Sequence, residues 1–302
     1  MKSKLTIGLA LGSGSSRGWS HIGIIKSLAK LGVVPDIVCG TSVGAMVGAA
    51  YVSNNLEKLE GWALSLTKFE EAKFFDINTS LNGFVDIKRF HRFLNEHVAS
   101  DNVLIENCAK KFASVATDLD TGREVWLAKG PLVQAVWASI SLPGLFPAIK
   151  NNDRWLVDGG LVNPVPVSVC RALGADVVIA VNLNGDIVGK HRKTDNVAIT
   201  QDEGVKGKLT DFVREYGGSL FSNSKTDHQP PGLFDAIAGS VNITQDRITR
   251  SRLAGDPPDI ILSPKLSHIG LLEVYRASEA IAEGEKCVQR MQSEIIHVLE
   301  ER

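Results

Sequence analysis

The sequence has no excess of charge of either sign, since 33 Lys and Arg residues stand against 34 Asp and Glu residues and the net charge is −1. Its basic residues form no stripe, so nothing in the charge pattern indicates a nucleic-acid partner. It also has no apolar run near the roughly 20 residues that a membrane-spanning helix needs. These absences favour a cytoplasmic globular protein.

Cysteine is scarce as well. The four cysteines, Cys39, Cys108, Cys170 and Cys287, have no spacing typical of metal ligands, and we interpret them as reduced thiols. The apolar run near the N-terminus turns into glycines and serines after about seven residues and has no small-residue cleavage site, so it predicts a strand rather than a signal peptide. No metal site is predicted.

What the chain does contain is an alternation of short apolar runs and helical patterns. KLTIGLAL and PDIVCG are typical of buried strands, and each precedes a helical pattern, HIGIIKSLAKLG and VGAMVGAAYVSNN. This βαβα order predicts an α/β fold with a parallel sheet. Further strands are predicted in KKFASVATDLDTGREVWLAKG, RWLVD, GADVVIAVNL and DIILSP, and further helices within 55–105, in PLVQAVWAS, at 233–254 and from 271 onward.

One segment departs from this alternation. Residues 185–232 are polar and lack sustained apolar periodicity, which predicts an exposed, mobile insertion or lid. We expect a single domain over 1–302, with its core motifs in 5–182 and a helix–strand–helix unit at 233–302 that completes the core.

The segment Gly40-Thr41-Ser42-Val43-Gly44 lies between a predicted strand and a predicted helix. A serine hydroxyl is a poor nucleophile until it is exposed, aimed and deprotonated. In a Gly-x-Ser-x-Gly turn the serine projects from a sharp strand-to-helix corner, and the helix N-terminus favours developing negative charge. The context makes Ser42 the candidate nucleophile. The alternative is a tight glycine turn with an incidental serine.

A second glycine-rich loop, LGSGSSRG, also lies between a strand and a helix. It resembles a dinucleotide-binding fingerprint, but Arg17 stands where the third glycine belongs and no acidic residue ends the next strand. A nicotinamide-dependent oxidoreductase is therefore disfavoured. Such a loop can instead offer its N–H groups to an oxyanion, or it can be a close-packed turn without a chemical role.

Two residues are candidates for the base that would activate Ser42. His268 lies between a late strand and the last helix, where α/β-hydrolases carry their histidine, but Ser42 follows only two strands and that fold normally has several before its nucleophile. His268 is therefore interpreted as a surface residue. Asp158 ends the apolar run WLVD, and Gly159 and Gly160 give the backbone freedom to aim it. A carboxylate can act as the base where a dry site raises its pKa, and a simple turn is the alternative.

Three motifs occur together in the order typical of the patatin-like phospholipases, a family of lipid acyl hydrolases with a Ser–Asp dyad. They are the loop Gly12–Gly18, the elbow Gly40–Gly44 and the motif Asp158–Gly160. The chain resembles this family over 5–182, and ASISLPGLFPAI and VNPVP resemble segments that flank the family's acidic motif. It is most similar to small bacterial members and to the esterase domain of neuropathy target esterase.

The resemblance implies a three-layer α/β/α fold with a central, mostly parallel sheet. It implies Ser42 as nucleophile and Asp158 as general base in a phospholipase A or lysophospholipase reaction, through an acyl-enzyme and without a metal or organic cofactor. The residues that it assigns to the oxyanion hole, the elbow and the acidic motif are Gly12, Ser13, Gly14, Ser15 and Arg17; Gly40 and Gly44; and Gly159 and Gly160.

The loop departs from the family's pattern in one respect, because Ser13 and Ser15 replace glycines that are frequent there. A serine at a position that requires positive φ would be strained by about 1–3 kcal/mol. Arg17 fills the family's basic position, where it would stabilise the loop or meet a substrate phosphate.

The substrate expected from the resemblance is a lipid or another ester, reached by transient contact with a membrane surface. Four apolar residues are candidates for an acyl-chain groove, with core packing as an equal alternative: Trp137, Leu142, Leu145 and Phe146. The alternative function is a binding or regulatory protein that keeps the fold without useful turnover.

Overall fold

The computed structural model describes residues 5–68, 87–186 and 233–301. The strands are β1 Ile7–Leu11, β2 Ile37–Thr41, β3 Lys111–Asp118, β4 Glu124–Leu127, β5 Ile149–Asn151, β6 Arg154–Asp158, β7 Val177–Val181 and β8 Ile260–Leu262. The helices in these ranges are α1 Ser20–Lys30, α2 Val43–Val52, α3 Leu56–Ser65, α4 Ile87–His97, α5 Leu132–Ile140, α6 Val167–Ala172, α7 Leu233–Gly255 and α8 Ala277–Glu301.

The strands form one mixed sheet of eight strands in the order β5-β6-β3-β2-β1-β7-β8, with β4 paired to β3. Its central strands β3, β2, β1, β7 and β8 are parallel, whereas β4, β6 and β5 are antiparallel to their neighbours. The strands β2 and β7 are buried at every residue, as parallel strands covered on both faces are. The predicted α/β class and the parallel centre of the sheet are therefore confirmed.

Helices and loops cover both faces of this sheet. Alternate strand residues point to opposite faces, so Leu9 and Leu11 pack into a large core with α1, α2 and α8, while Ala10 packs into a second core with α6. The sheet lies between these two cores, so that helices, sheet and helices form the three layers of an α/β/α fold. None of the helices in the described ranges combines the length and the apolar composition needed to cross a bilayer.

The sequence misplaces one boundary and misses two elements. The last helix begins at Ala277 rather than at 271, because 271–276 forms turns, including a 3₁₀ turn at Val274–Arg276. The carbonyl of Leu271 accepts hydrogen bonds from the loop after β1 instead of from its own helix. The short strand β5 and the helix α6 have patterns too brief to be recognised.

The proposed insertion at 185–232 lies outside the described residues from 187 onward, as do residues 69–86 of the predicted helical region.

Candidate active site

Strand pairing brings two distant parts of the chain together at the end of the sheet. Strand β2 pairs with β3 up to Thr41, which lies opposite Val115, and β6 pairs with β3 from Asp158, which lies opposite the next residue, Ala116. Because β6 runs antiparallel to β3, the C-terminal ends of β2 and β6 meet. Ser42, the residue after Thr41, is thereby placed beside Asp158.

The two side chains form a short hydrogen bond. Ser42 Oγ donates to Asp158 Oδ2 at 2.6 Å, and the other carboxylate oxygen, Oδ1, accepts from the N–H of Gly160 at 2.6 Å. Ser42 is 9% exposed and Asp158 is 1% exposed. The hydroxyl is thus aimed at a fixed, nearly dry carboxyl group.

The backbone of Ser42 is held in a conformation that L-residues rarely adopt, with φ 57° and ψ −124°. Such a residue costs about 1–3 kcal/mol and persists only where its surroundings hold it. Here the N–H of Ser42 donates to Ser139 Oγ at 2.9 Å, and Ser139 Oγ donates in turn to the carbonyl of Val115 at 2.6 Å. Ser139, which sequence reasoning did not single out, therefore anchors the turn to β3.

The two glycines of the elbow are required by close packing. A methyl group on Gly44 would lie 2.1 Å from the carbonyl oxygen of Leu11, and one on Gly40 would lie 2.4 Å from the backbone nitrogen of Ala45. Both contacts are with backbone atoms, which cannot move aside as a flexible side chain can. The glycines let α2 begin directly against the end of β1.

Burial governs the protonation of Asp158. Removal from water raises the pKa of this carboxyl from 3.8 to about 6, and the hydrogen bonds from Ser42 and Gly160 oppose the rise only in part. At neutral pH the group is ionised, and it binds a proton more readily than an exposed aspartate. These are the properties needed of a general base.

The loop after β1 presents two unpaired N–H groups. Within the described residues, those of Gly14 and Ser15 have no hydrogen-bond partner, and both residues line the pocket that contains Ser42. The N–H groups of Gly12, Ser13 and Arg17 are already used, because they donate to Val181, Pro164 and Gly14 respectively. Of the five residues assigned to the oxyanion hole, Gly14 and Ser15 therefore are the two whose N–H groups have no partner among the described residues.

The expected strain is present at one of the two serines. Ser15 has φ 50°, whereas Ser13 is not among the residues with positive φ. The side chain of Ser15 donates to the carbonyl of Leu271 at 2.5 Å, and that of Ser16 donates to the same oxygen at 2.7 Å. These bonds tie the loop to the turn before α8 and support the unusual backbone at Ser15.

Arg17 points away from the pocket. Its side chain is buried, with Nε donating to the carbonyl of Ile269 at 3.1 Å and Nη1 donating to Asn184 Oδ1 at 3.3 Å. His21 is also buried, and its Nε2 lies 2.8 Å from the carbonyl oxygen of Gly12. Burial lowers the pKa of His21 to about 4, so the ring is neutral and donates to that carbonyl. Both residues hold the loop, and neither lines the pocket.

The pocket encloses about 840 Å³, including its open mouth, and most of its wall is apolar. Of the four predicted groove residues, Leu142, Leu145 and Phe146 line it. Trp137 does not, because it packs edge-on against Phe90 with ring centroids 5.7 Å apart. The apolar lining residues that sequence reasoning missed are Trp19, Val43, Met46, Trp62, Phe90, Phe93, Ile140, Val241, Leu271, Leu272 and Val274. Of these residues, only Phe90 and Phe93 could have been found from the sequence, because they form an aromatic pair at helical spacing.

His268 lies outside the pocket. Its ring is about half exposed, and Nε2 contacts Glu279 Oε1 at 2.5 Å. The structure therefore does not support the alternative with a catalytic histidine at this position. Among the residues described, no group of three or more His, Cys, Asp or Glu side chains is arranged to hold a metal ion.

Comparisons with known proteins agree with this architecture. Residues 9–171 match the family model described as patatin-like phospholipase. The chain is 29% identical to an uncharacterized NTE family protein, Mb1092c of Mycobacterium bovis, over 92% of this chain and 89% of that one. It is 34% identical to a second protein of that organism, the uncharacterized NTE family protein Mb2594, over 92% of this chain and 45% of the relative.

A human relative is larger. Patatin-like phospholipase domain-containing protein 6 of Homo sapiens is 32% identical over 63% of this chain, but the match spans only 14% of the human protein. The family model covers more than half of the chain and contains all three of the motifs found in the sequence. The chain therefore belongs to the patatin-like phospholipase family, which supports a hydrolase activity on lipids.

Proposed function

We propose that this protein cleaves an ester bond of a phospholipid or lysophospholipid, with Ser42 as nucleophile and Asp158 as general base. The observation that carries the proposal is the 2.6 Å hydrogen bond between Ser42 Oγ and Asp158 Oδ2 in an apolar pocket. The unpaired N–H groups of Gly14 and Ser15 in the same pocket supply the third requirement of acyl transfer, stabilisation of an oxyanion.

In the first half of the reaction Ser42 Oγ attacks the ester carbonyl carbon while its proton moves to Asp158 Oδ2. The carbonyl oxygen becomes an oxyanion and accepts hydrogen bonds from Gly14 and Ser15. The bond to the alcohol then breaks, and the alcohol leaves with the proton returned by Asp158. The acyl group stays bound to Ser42 as an ester.

In the second half a water molecule attacks this acyl-enzyme and gives a proton to Asp158. The second tetrahedral intermediate collapses, the fatty acid leaves, and Ser42 Oγ recovers its proton from Asp158. The raised pKa of Asp158 suits both directions of transfer, because the carboxyl is ionised before attack and holds the proton afterwards.

The apolar wall indicates which part of the lipid enters the pocket. Trp19, Trp62, Phe90 and Phe93 form a connected aromatic cluster, with the rings of Trp62 and Phe93 4.2 Å apart and those of Trp19 and Trp62 6.0 Å apart. Such a wall favours an acyl chain, since its contact removes apolar surface from water. We place the polar part of the lipid toward the mouth of the pocket. As a cytoplasmic protein, the enzyme would take up the lipid through transient contact with a membrane surface.

The direct test is hydrolysis of p-nitrophenyl esters from butyrate to palmitate by the wild type, Ser42→Ala, Asp158→Asn and His268→Ala. We expect kcat to fall by at least about 10³-fold in the first two variants and to be unchanged in His268→Ala. Fatty-acid release from phosphatidylcholine and from lysophosphatidylcholine then distinguishes the two activities. Longer acyl chains are expected to lower KM, because they cover more of the apolar wall.

Labelling with a fluorophosphonate provides an independent measure of Ser42. A wild-type protein that neither hydrolyses any of these esters nor reacts at Ser42 would contradict the proposal. That result would instead favour the alternative, a binding or regulatory protein that retains the fold.

A further inference from the structure

Gln245 connects two of the three motifs of the site, although it lies on α7, outside the residues that match the family model. Its side chain is 6% exposed. Oε1 accepts hydrogen bonds from Ser13 Oγ at 3.0 Å and from Asn184 Nδ2 at 3.0 Å. The amide thus contacts the loop after β1 from within the pocket that it lines.

The orientation of this amide follows from Arg17. A guanidinium group can only donate hydrogen bonds, so the Asn184 atom that contacts Arg17 Nη1 must be the oxygen Oδ1. Asn184 Nδ2 then points the other way, and the Gln245 atom that it contacts must be the acceptor Oε1. Gln245 Nε2 is therefore directed away from the loop, and its two N–H groups are available elsewhere.

Nε2 lies beside the acidic motif. A methyl group placed on Gly160 would be 2.4 Å from Gln245 Nε2 and 2.9 Å from Asp158 Oδ1, so both atoms border the same small space. In the part of the chain that the structure describes, Nε2 has no hydrogen-bond partner. A nearly buried donor without a partner, facing a pocket, is expected to find its acceptor on a ligand.

The arrangement of the pocket indicates which part of an ester would meet this donor. The acyl chain is assigned to the aromatic wall, and the carbonyl oxygen to the N–H groups of Gly14 and Ser15. The remaining part, the alcohol, leaves with a proton from Asp158 and so lies on the side of the carboxyl. Gln245 Nε2 is next to that carboxyl and therefore faces the alcohol.

We propose that Gln245 is a substrate-contacting residue whose Nε2–H group donates to an uncharged glycerol oxygen of the ester, and that Arg17 and Asn184 are positioning residues that fix its amide. The inference rests on the proposed function, since it assumes the ester orientation given above. A neutral amide suits a neutral oxygen, and the buried guanidinium of Arg17 acts through Asn184 rather than on a substrate phosphate.

The test compares two esters with the same acyl group, glycerol monobutyrate and ethyl butyrate, of which only the first carries the additional oxygens. For Gln245→Met, kcat/KM on glycerol monobutyrate should fall about 5- to 10-fold further than kcat/KM on ethyl butyrate, the effect of losing one neutral hydrogen bond to the substrate. The two bonds that Oε1 now accepts from Ser13 and Asn184 are lost as well, and the effect of that loss should be the same for ethyl butyrate, for glycerol monobutyrate and for fluorophosphonate labelling at Ser42. Arg247→Gln, an exposed change on the same helix, is the matched control and should alter none of these rates.

Asn184→Asp tests the positioning role without touching Gln245. The introduced carboxylate only accepts, so it stays bonded to Arg17 and forces the Gln245 amide to turn its N–H toward the loop. This variant should repeat the selective loss on glycerol monobutyrate, and combining it with Gln245→Met should add no further loss.

Two results separate the possible failures. Equal losses on both esters, with no further loss on glycerol monobutyrate, would overturn the inference, because they would show that Gln245 only packs α7 against the loop. A wild type that is inactive on ethyl butyrate and is not labelled at Ser42 would instead overturn the proposed function itself.

Discussion

Replacing Asp158 by Asn is expected to abolish activity while increasing stability. The two side chains have nearly the same shape, and the amide oxygen can accept from the N–H of Gly160 as Oδ1 does now. The amide nitrogen can donate to Ser42 Oγ, so the hydrogen bond between these positions is kept with its direction reversed. The substitution therefore removes little except the negative charge and the ability to take up a proton.

The size of the stability gain follows from the pKa. Burial raises the pKa of Asp158 from 3.8 to about 6, so between these pH values the folded protein binds a proton that the unfolded chain has lost. The stabilisation from this proton is complete below pH 3.8 and is lost as the pH rises through 6. Two pKa units correspond to about 3 kcal/mol. Since Asn has no charge to bury, Asp158→Asn should be more stable than the wild type by up to about 3 kcal/mol at pH 8 and by little at pH 4.

Urea unfolding from pH 4 to pH 8, followed by tryptophan fluorescence, measures this difference. The control is Asp153→Asn, the same change in the exposed turn between β5 and β6, where no charge is buried and the free energy of unfolding should stay close to that of the wild type. The reasoning would be refuted by a difference for Asp158→Asn that stays constant with pH or grows toward acid. A variant less stable than the wild type at pH 8 would show that the charged form of Asp158 is well solvated or paired.

Two further predictions concern the same residues. For a neutral ester, kcat/KM should rise with pH to about 6 and then level off as Asp158 loses its proton, and a profile flat from pH 5 to 7 would contradict Asp158 as the base. Ser139→Ala leaves the N–H of Ser42 without its acceptor, so it should cost about 1–3 kcal/mol in urea unfolding and about 10-fold in kcat. Ser141→Ala, whose hydroxyl donates only to the carbonyl of Trp137, is its control, and equal losses in both variants would refute the role of Ser139.

The central strands and the elbow could be predicted from sequence because their signals are local. An apolar run that ends in glycines predicts β1 and β2, and the spacing of Gly40 and Gly44 predicts the turn between β2 and α2. The meeting of Ser42 and Asp158 has no such local signal. It depends on the register of β6, which runs antiparallel to β3 and pairs with it from Ala116, one residue after Val115, the last partner of β2. No short segment of the sequence encodes this register. Local patterns made Ser42 and Asp158 separate candidates, each with a simple turn as the alternative, and the order of the family's motifs implied that the two act together.

The sequence also could not show which backbone N–H groups of the loop after β1 have a hydrogen-bond partner. Whether an N–H group is available depends on which carbonyl lies opposite it, and the partners of Gly12 and Ser13 come from Val181 and Pro164, far along the chain. The same holds for Gln245, which has no motif around it and acquires its orientation only through Asn184 and Arg17. Single residues whose role is set by a chain of long-range hydrogen bonds leave no trace in periodicity or spacing.

The features of the site that cost stability all border one pocket. Asp158 carries a charge with little access to water, Ser42 has a strained backbone, and Gly14, Ser15 and Gln245 present donors without a partner in the described structure. Each would be unfavourable as a plain packing arrangement, because buried polar groups are normally paired and strained residues are rare. An ester in the proposed orientation satisfies them together, since its carbonyl oxygen, its alcohol oxygens and the proton in transfer supply the missing partners. The coincidence of these unsatisfied groups around Ser42 is better explained by a substrate than by the requirements of folding.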